Sequence, residues 1–205
     1  MRISVQKYFS FTFFILFFLG ALPGLAMGQS DGVSRGIDTM GFRAEEPGEA
    51  ILGGKYIQKE AFYAIRPPAL WKKSTLSQAE KNLSYAVRFK DSHNGDYMTL
   101  GIIQGGPKDL TLAGLSRFRG DYLGGVRRAG LGQIVGSDLF RFKHFHCFQV
   151  IAKKNRTVLL QLLIFDQPGS FLQLAYSVGE DRYHDLARTM EASIASLEWP
   201  VLSKD

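Results

Sequence analysis

Apolar residues along this chain change their spacing several times, and each change marks an element. A first run, Tyr8 to Leu22, gives way to a polar, glycine-rich stretch without periodicity. Lys55 to Gln58 and Ala61 to Arg66 then predict a first hairpin, ended by Pro67-Pro68 because proline cannot donate to a ladder. Ala69 to Asn82 carries a Trp followed by polar residues and predicts a loop with at most one helical turn. Ser84 to Lys90 and Asp96 to Gln104 alternate as strands around His93-Asn94-Gly95, where Asn-Gly tolerates positive φ. Next, Leu112, Leu115, Phe118, Tyr122 and Val126 recur at steps of three or four, the spacing of one helical stripe. Arg117, Asp121 and Arg128 fall opposite that stripe and are expected to face water, and Gly124-Gly125 is expected to fray or stop the helix.

Phe142 to Ala152, Thr157 to Asp166 and Ser170 to Val178 predict a three-stranded antiparallel meander, turning at Lys154-Asn155-Arg156 and at Gln167-Pro168-Gly169. The middle run is apolar on both parities, with Leu159, Leu163 and Phe165 on one side and Val158, Leu160, Leu162 and Ile164 on the other. Such a strand is covered on both faces, which places it at the centre of the sheet. A closing helix starts at Glu180, with Ser177 three residues earlier as the expected partner in a capping box. Tyr183, Leu186, Met190, Ile194 and Leu197 give its buried stripe, and Trp199-Pro200 ends it. Strands and helices in this order make an α+β domain.

The opening run sharpens the picture of where the chain works. Arg2 and Lys7 precede the Phe-rich segment, and Pro23-Gly24 break it before small residues, the three-part order of a secretory signal peptide. Residues 1–28 are therefore read as a leader cleaved after Ala26 or Gly28, followed by a flexible lead-in at 29–50, one domain at 51–200 and a tail at 201–205. An uncleaved N-terminal anchor facing outside is the alternative, although a spanning helix wants about 20 apolar residues and this run is shorter. No Cys follows it, which excludes a lipid-modified N-terminal cysteine, and no later segment has the length and hydropathy to span. The expected compartment is periplasmic or extracellular. Disulfides are allowed there, but Cys147 is the only cysteine, so no internal bridge can form and the fold rests on its core. Cys147 is read as a small buried apolar residue, with a reactive thiol or intermolecular bridge as the rarer case.

The formal net charge is +6, and the excess is unevenly placed. Between residues 108 and 156 ten basic residues face three acidic ones, whereas from residue 157 onward seven acids face three bases. Arg117, Arg127, Arg128, Lys153, Lys154 and Arg156 are the candidate binding set within this basic centre. Such a face can meet an anionic surface or an acidic protein, and it can equally be a solvated surface without a partner.

Catalytic chemistry finds little support. A nucleophile elbow of the Gly-x-Ser-x-Gly kind is absent, and Gly105-Gly106-Pro107 and Gly124-Gly125 lack the spacing of a phosphate loop or dinucleotide fingerprint. Glu45-Glu46 lie in the lead-in, and Glu180-Asp181 are helix N-terminal charges. His144 and His146, two apart on an expected strand, would share a face as metal ligands do, but no third ligand accompanies them. No cofactor is implied. Phe118, Tyr122, Phe140, Phe142 and Phe145 interleave with the bases, a pattern that can hold single-stranded nucleic acid. The export signal and the placement of these rings on core stripes speak against it, and no nucleic acid partner is expected. The sequons at Asn82 and Asn155 matter only in a eukaryotic secretory pathway.

The strand Phe62-Tyr63-Ala64-Ile65-Arg66 running into Pro68 and Trp71, the meander from Cys147 to Val178 and the closing Ser193-Ile194-Ala195-Ser196-Leu197-Glu198-Trp199 together carry a resemblance. The chain resembles the fold shared by the PsbP subunit of photosystem II, the Mog-type Ran-binding protein and the exported DcrB-like proteins, over about residues 62–200. That resemblance implies an α/β/α sandwich around a mainly antiparallel sheet, and a family of mostly binding or assembly proteins. Leu70 departs from the Gly often found before the family's Trp, and no residue of the PsbP docking surface or the Ran-binding surface has a match here. The expectation is an exported, non-enzymatic binding or assembly-accessory protein acting on a protein partner or the envelope surface. The alternative is an exported enzyme or metal-binding protein whose site assembles from distant residues.

Overall fold

The computed structural model describes residues 52–59 and 63–199. The leader, the whole lead-in, residues 51 and 60–62, Pro200 and the tail lie outside them. Strands β1 (Tyr56–Gln58) and β2 (Tyr63–Ile65) pair antiparallel as a small ribbon, as the first-hairpin pattern predicts. The main sheet comprises β3 (Trp71–Ser74), β4 (Tyr85–Asp91), β5 (Tyr97–Gln104), β6 (Gln133–Phe142), β7 (Phe145–Lys154), β8 (Thr157–Phe165) and β9 (Ser170–Gly179). Every neighbouring pair is antiparallel, in the order β3-β4-β5-β9-β8-β7-β6. Helices α1 (Gln78–Asn82), α2 (Leu112–Arg128) and α3 (Glu180–Ala195) complete the fold.

Alternation along the strands divides the core in two. On one face Val158, Leu160, Leu162 and Ile164 of β8 and Leu172, Leu174, Tyr176 and Val178 of β9 meet Tyr183, Met190 and Ile194 of α3, together with Tyr63 and Ile65 of the ribbon. On the other, Phe148, Val150, Leu163, Phe165 and Phe171 meet Leu115, Tyr122 and Val126 of α2. An antiparallel sheet covered by a helix on each side is the α/β/α arrangement expected of the chain.

Several elements differ from the pattern's prediction. The meander has four strands, because the stretch read as one strand from Phe142 is the end of β6, a turn at Lys143-His144 and then β7. Lys143 takes φ 54° to make that turn. The central strand is β9, since it joins β5 of the first half to β8 of the second and is buried from Ser170 to Val178. Trp71 to Ser74 is a short edge strand, and the segment after it forms α1 with a complete capping box of its own. There Glu80 N–H donates to Ser77 Oγ at 3.2 Å, and Ser77 N–H donates to Glu80 Oε2 at 2.6 Å.

Helix α2 runs through Gly124-Gly125 to Arg128, carried by the burial of Tyr122 and Val126 on either side of the glycine pair. Its stop comes later, at Gly130 with φ 61°. Leu112 is 69% exposed, because the first residue of α2 precedes the part of the helix that lies on the sheet. The box expected between Ser177 and Glu180 does not form, since Ser177 lies buried inside β9 and the N-cap of α3 is Gly179. Asp96 supplies the missing acceptor from across the sheet. Its carboxylate takes the Gly179 N–H at 2.9 Å and the Arg182 Nε–H and Nη2–H at 2.9 and 2.6 Å.

Gly101 has a steric reason to be glycine. A Cβ there would sit 2.5 Å from Ser84 O and 2.6 Å from the Tyr85 Cα, where β4 is bulged against β5.

Candidate functional site

At one end of the sheet, where α2 finishes and α3 begins, the structure gathers five of the six candidate basic residues. Arg127 and Arg128 occupy the last turn of α2, exposed, where cations favour the negative end of the helix dipole. Lys153 and Lys154 end β7, and Arg156 lies exposed in the turn to β8, whose Asn155 takes φ 54°. Two contacts hold the α2 end against the β7 end. Lys154 Nζ donates to Gly130 O at 2.9 Å, and Gly132, at φ 130°, brings its backbone so close that a Cβ would stand 2.6 Å from Lys153 O. Lys153 pairs with Glu180, whose N–H donates to Arg156 O at 2.8 Å. Among the described residues no carboxylate approaches Arg127, Arg128 or Arg156 within ion-pair distance.

Arg117 does not belong to this group. It faces water as the stripe predicts, but lies about 15 Å back along α2 at 1.5 Å per residue, and its Nη2 is 3.6 Å from Asp109 Oδ2. Together with Pro107, Lys108, Gly114, Phe118 and Asp121 they line an open groove of about 320 Å³. The Asp109 carboxyl is held below its usual range, chiefly by the Thr111 N–H and then by the Thr111 hydroxyl. Arg119, also in the basic centre, is committed elsewhere: its Nη2 donates to Ser137 O at 3.1 Å and Ser137 Oγ at 2.9 Å.

The histidine pair does not share a strand face. His144 is exposed in the β6–β7 turn, its ring centroid 3.8 Å from that of Phe145, while His146 is half-buried on β7. Among the described residues no three metal-ligating side chains cluster. Cys147 is fully buried on the α3 face, and burial pushes its thiol up to about 12, so it behaves as a core residue. Tyr122, Phe142 and Phe145 are buried, and Phe118 and Phe140 are partly buried and pack against the two cores. No helix among the described residues is long and apolar enough to cross a membrane.

Sequence reasoning grouped the candidate basic residues by their place in the chain, so it could not separate Arg117 from the other five. The deciding contacts run through the Gly130 carbonyl and the Asp109 carboxylate. It also missed the Glu80–Arg88 pair at 3.3 Å, in which the Arg88 guanidinium stands 4.1 Å from the centroid of the Tyr97 ring.

No family model matches the sequence, and no curated protein matches it. Solved structures do. The solution structure of cyanobacterial PsbP (CyanoP) from Synechocystis sp. PCC 6803 is 17% identical, with 74% of this chain and 94% of that one covered at a TM-score of 0.55. A crystal structure from Bacteroides thetaiotaomicron VPI-5482 is 14% identical, covering 71% of this chain and 48% of that one at a TM-score of 0.45. The chain therefore has the PsbP-like fold, an α+β architecture around a mainly antiparallel sheet, as its sequence resembles.

Proposed function

We propose that this chain is an exported, non-catalytic accessory protein that docks through the basic end of the sheet onto an acidic protein partner or an anionic envelope surface. The observation that carries the reading is the convergence of Arg127, Arg128, Lys154 and Arg156 at one end of the sheet, where among the described residues no carboxylate lies within ion-pair distance of the three arginines and Glu180 is paired to Lys153. Exposed guanidiniums without a carboxylate partner retain their attraction for an incoming anion, and that attraction weakens as salt shortens the screening length from about 10 Å at 0.1 M. The PsbP-like fold supports an accessory role over catalysis, and the leader pattern supports export to a periplasmic or extracellular site.

Binding of the purified protein to cell-envelope fractions, followed across a salt titration, tests this. Arg127→Gln with Arg128→Gln should weaken binding about tenfold at low salt and flatten its salt dependence. Arg117→Gln, at the far end of α2, should leave it unchanged. Gln is chosen because Glu in the last turn would also oppose the helix dipole. Absence of binding at low salt, or equal loss from both variants, overturns the basic-end reading.

A further inference from the structure

Of the chain's asparagines, Asn82, Asn94 and Asn155, only Asn94 is followed by glycine. The β4–β5 turn requires that glycine: Gly95 takes φ 81°, where a side chain would be strained, and among the described residues nothing lies within 4 Å of where its Cβ would stand. Asn94 and Gly95 are both exposed, so water reaches them. Asparagine is a chemically labile side chain, and an unhindered glycine after it makes it more so. The Gly95 backbone nitrogen can attack Asn94 Cγ, passing its proton to Nδ2, which leaves as ammonia, and a five-membered succinimide closes. Water then opens either ring carbonyl, giving aspartate by one route and isoaspartate by the other. One water is consumed for each ammonia released, and nothing is oxidised or reduced. At Asn82 and Asn155 the attacking nitrogen would belong to Leu83 and Arg156, whose side chains crowd it.

One residue holds both reacting groups. Asn94 Nδ2 donates to Asp91 Oδ2 at 2.9 Å, and the Gly95 N–H donates to Asp91 O at 3.2 Å. Asp91 Oδ1 also accepts the His93 N–H at 2.8 Å, which fixes the carboxylate in place. The leaving group is turned toward Asp91 and the nucleophile is engaged in the turn, so the ring closes only when the turn opens. We infer that Asn94-Gly95 is a deamidation site held in check by Asp91, and that its conversion loosens the start of α3.

The link to α3 is Asp96, two residues further on, whose carboxylate takes the Gly179 N–H and the Arg182 guanidinium. The loop 92–95 is closed by the Asp91 N–H on Asp96 O at 2.8 Å. Isoaspartate routes the chain through Cβ and inserts an extra backbone atom into that closed loop, displacing Asp96. Either product also replaces a donor to Asp91 with a second carboxylate, and like charges sharing a site repel. Asn94 O is itself 3.5 Å from Arg182 Nη2, so the altered residue adjoins the helix it disturbs.

Ageing of the purified full chain in warm, mildly alkaline buffer, followed by peptide mapping, tests the inference. The peptide holding Asn94 should gain about 1 Da and split into aspartate and isoaspartate forms, while those holding Asn82 and Asn155 stay unchanged. Conversion should run about tenfold faster in the urea-unfolded chain, where both hydrogen bonds to Asp91 are gone, and several-fold faster in folded Asp91→Ala, where one is. The aged, more acidic fraction, separated by ion exchange, should have a lower urea midpoint and faster exchange at the Gly179 amide than the unaged one. That fraction comes from the unaltered chain, so it serves even should Asp91→Ala not fold. Conversion no faster at Asn94 than at Asn82 or Asn155, equal rates in the folded and unfolded chain or in the parent and folded Asp91→Ala, or an aged fraction whose Gly179 amide exchanges at the parental rate overturns it.

Discussion

Helices α2 and α3 cover opposite faces of one sheet and are of similar length, yet they are anchored by different means. α2 carries its own start signal: the Gly114 N–H donates to the Thr111 hydroxyl at 3.2 Å, and its last turn ends in two exposed arginines. α3 has no side-chain cap, and its start is held by Asp96. Its end is tied to the ribbon, where Ser193 Oγ donates to Arg66 O at 2.7 Å and the Arg66 N–H donates to Ser196 Oγ at 2.9 Å. The helix locked into the fold at both ends is the structural one. The last turn of α2 carries Arg127 and Arg128, which have no carboxylate within ion-pair distance among the described residues, and it is this end that the proposed docking uses.

The sharpest way to break this contrast is Asp96→Ala. It removes three acceptor contacts at once, takes away the well-buried carboxylate that pairs with Arg182, and leaves that partly exposed guanidinium only the more distant Asp181 at 4.0 Å. A loss of about 2–4 kcal/mol is expected by urea unfolding, as for breaking a mostly buried ion pair. Thr111→Ala should cost about 1 kcal/mol, the ordinary worth of a local N-cap. If the two losses are equal, the distinction between a tertiary and a local anchor fails.

The smallest effect concerns pH. Asp91 shapes the β4–β5 turn just before Asp96, accepting the His93 N–H at 2.8 Å and the Asn94 side-chain amide at 2.9 Å. Desolvation alone would raise its carboxyl, but those hydrogen bonds outweigh it and hold the group below its ordinary 3.8. A carboxyl depressed on folding contributes stability that is fully present above the unfolded value and lost as pH falls through the folded one. Stability of the unaltered chain should therefore fall more steeply below about pH 4 than that of Asp91→Asn, measured by urea midpoints at several pH values.

Much of this fold was legible in the sequence. β8 showed its two-sided burial because seven apolar residues fill both parities, and α3 showed its stripe because Tyr183, Met190 and Ile194 all turn inward. β6 was illegible because an edge strand need not alternate: Gly136, Ser137 and Asp138 interrupt it, and a bulge between Ile134 and Gly136 shifts its register. Ser177 and Glu180 fit the capping spacing, yet the ladder with β5 and β8 claims Ser177 first. For the basic end, the bases were visible but their grouping was not, since Gly130 meets Lys154 only after β6 has turned back along β7.

The Asp96 contact also sets an order of events. The acceptor that starts α3 lies 83 residues before the Gly179 N–H it takes, on the far side of the β5–β9 pairing. The last helix therefore cannot receive its full start signal until the two halves of the sheet have joined, and loop closure precedes the reward. Cutting the chain anywhere between those two residues would part a helix from its own instruction, restored only by rebuilding the ladder that links them.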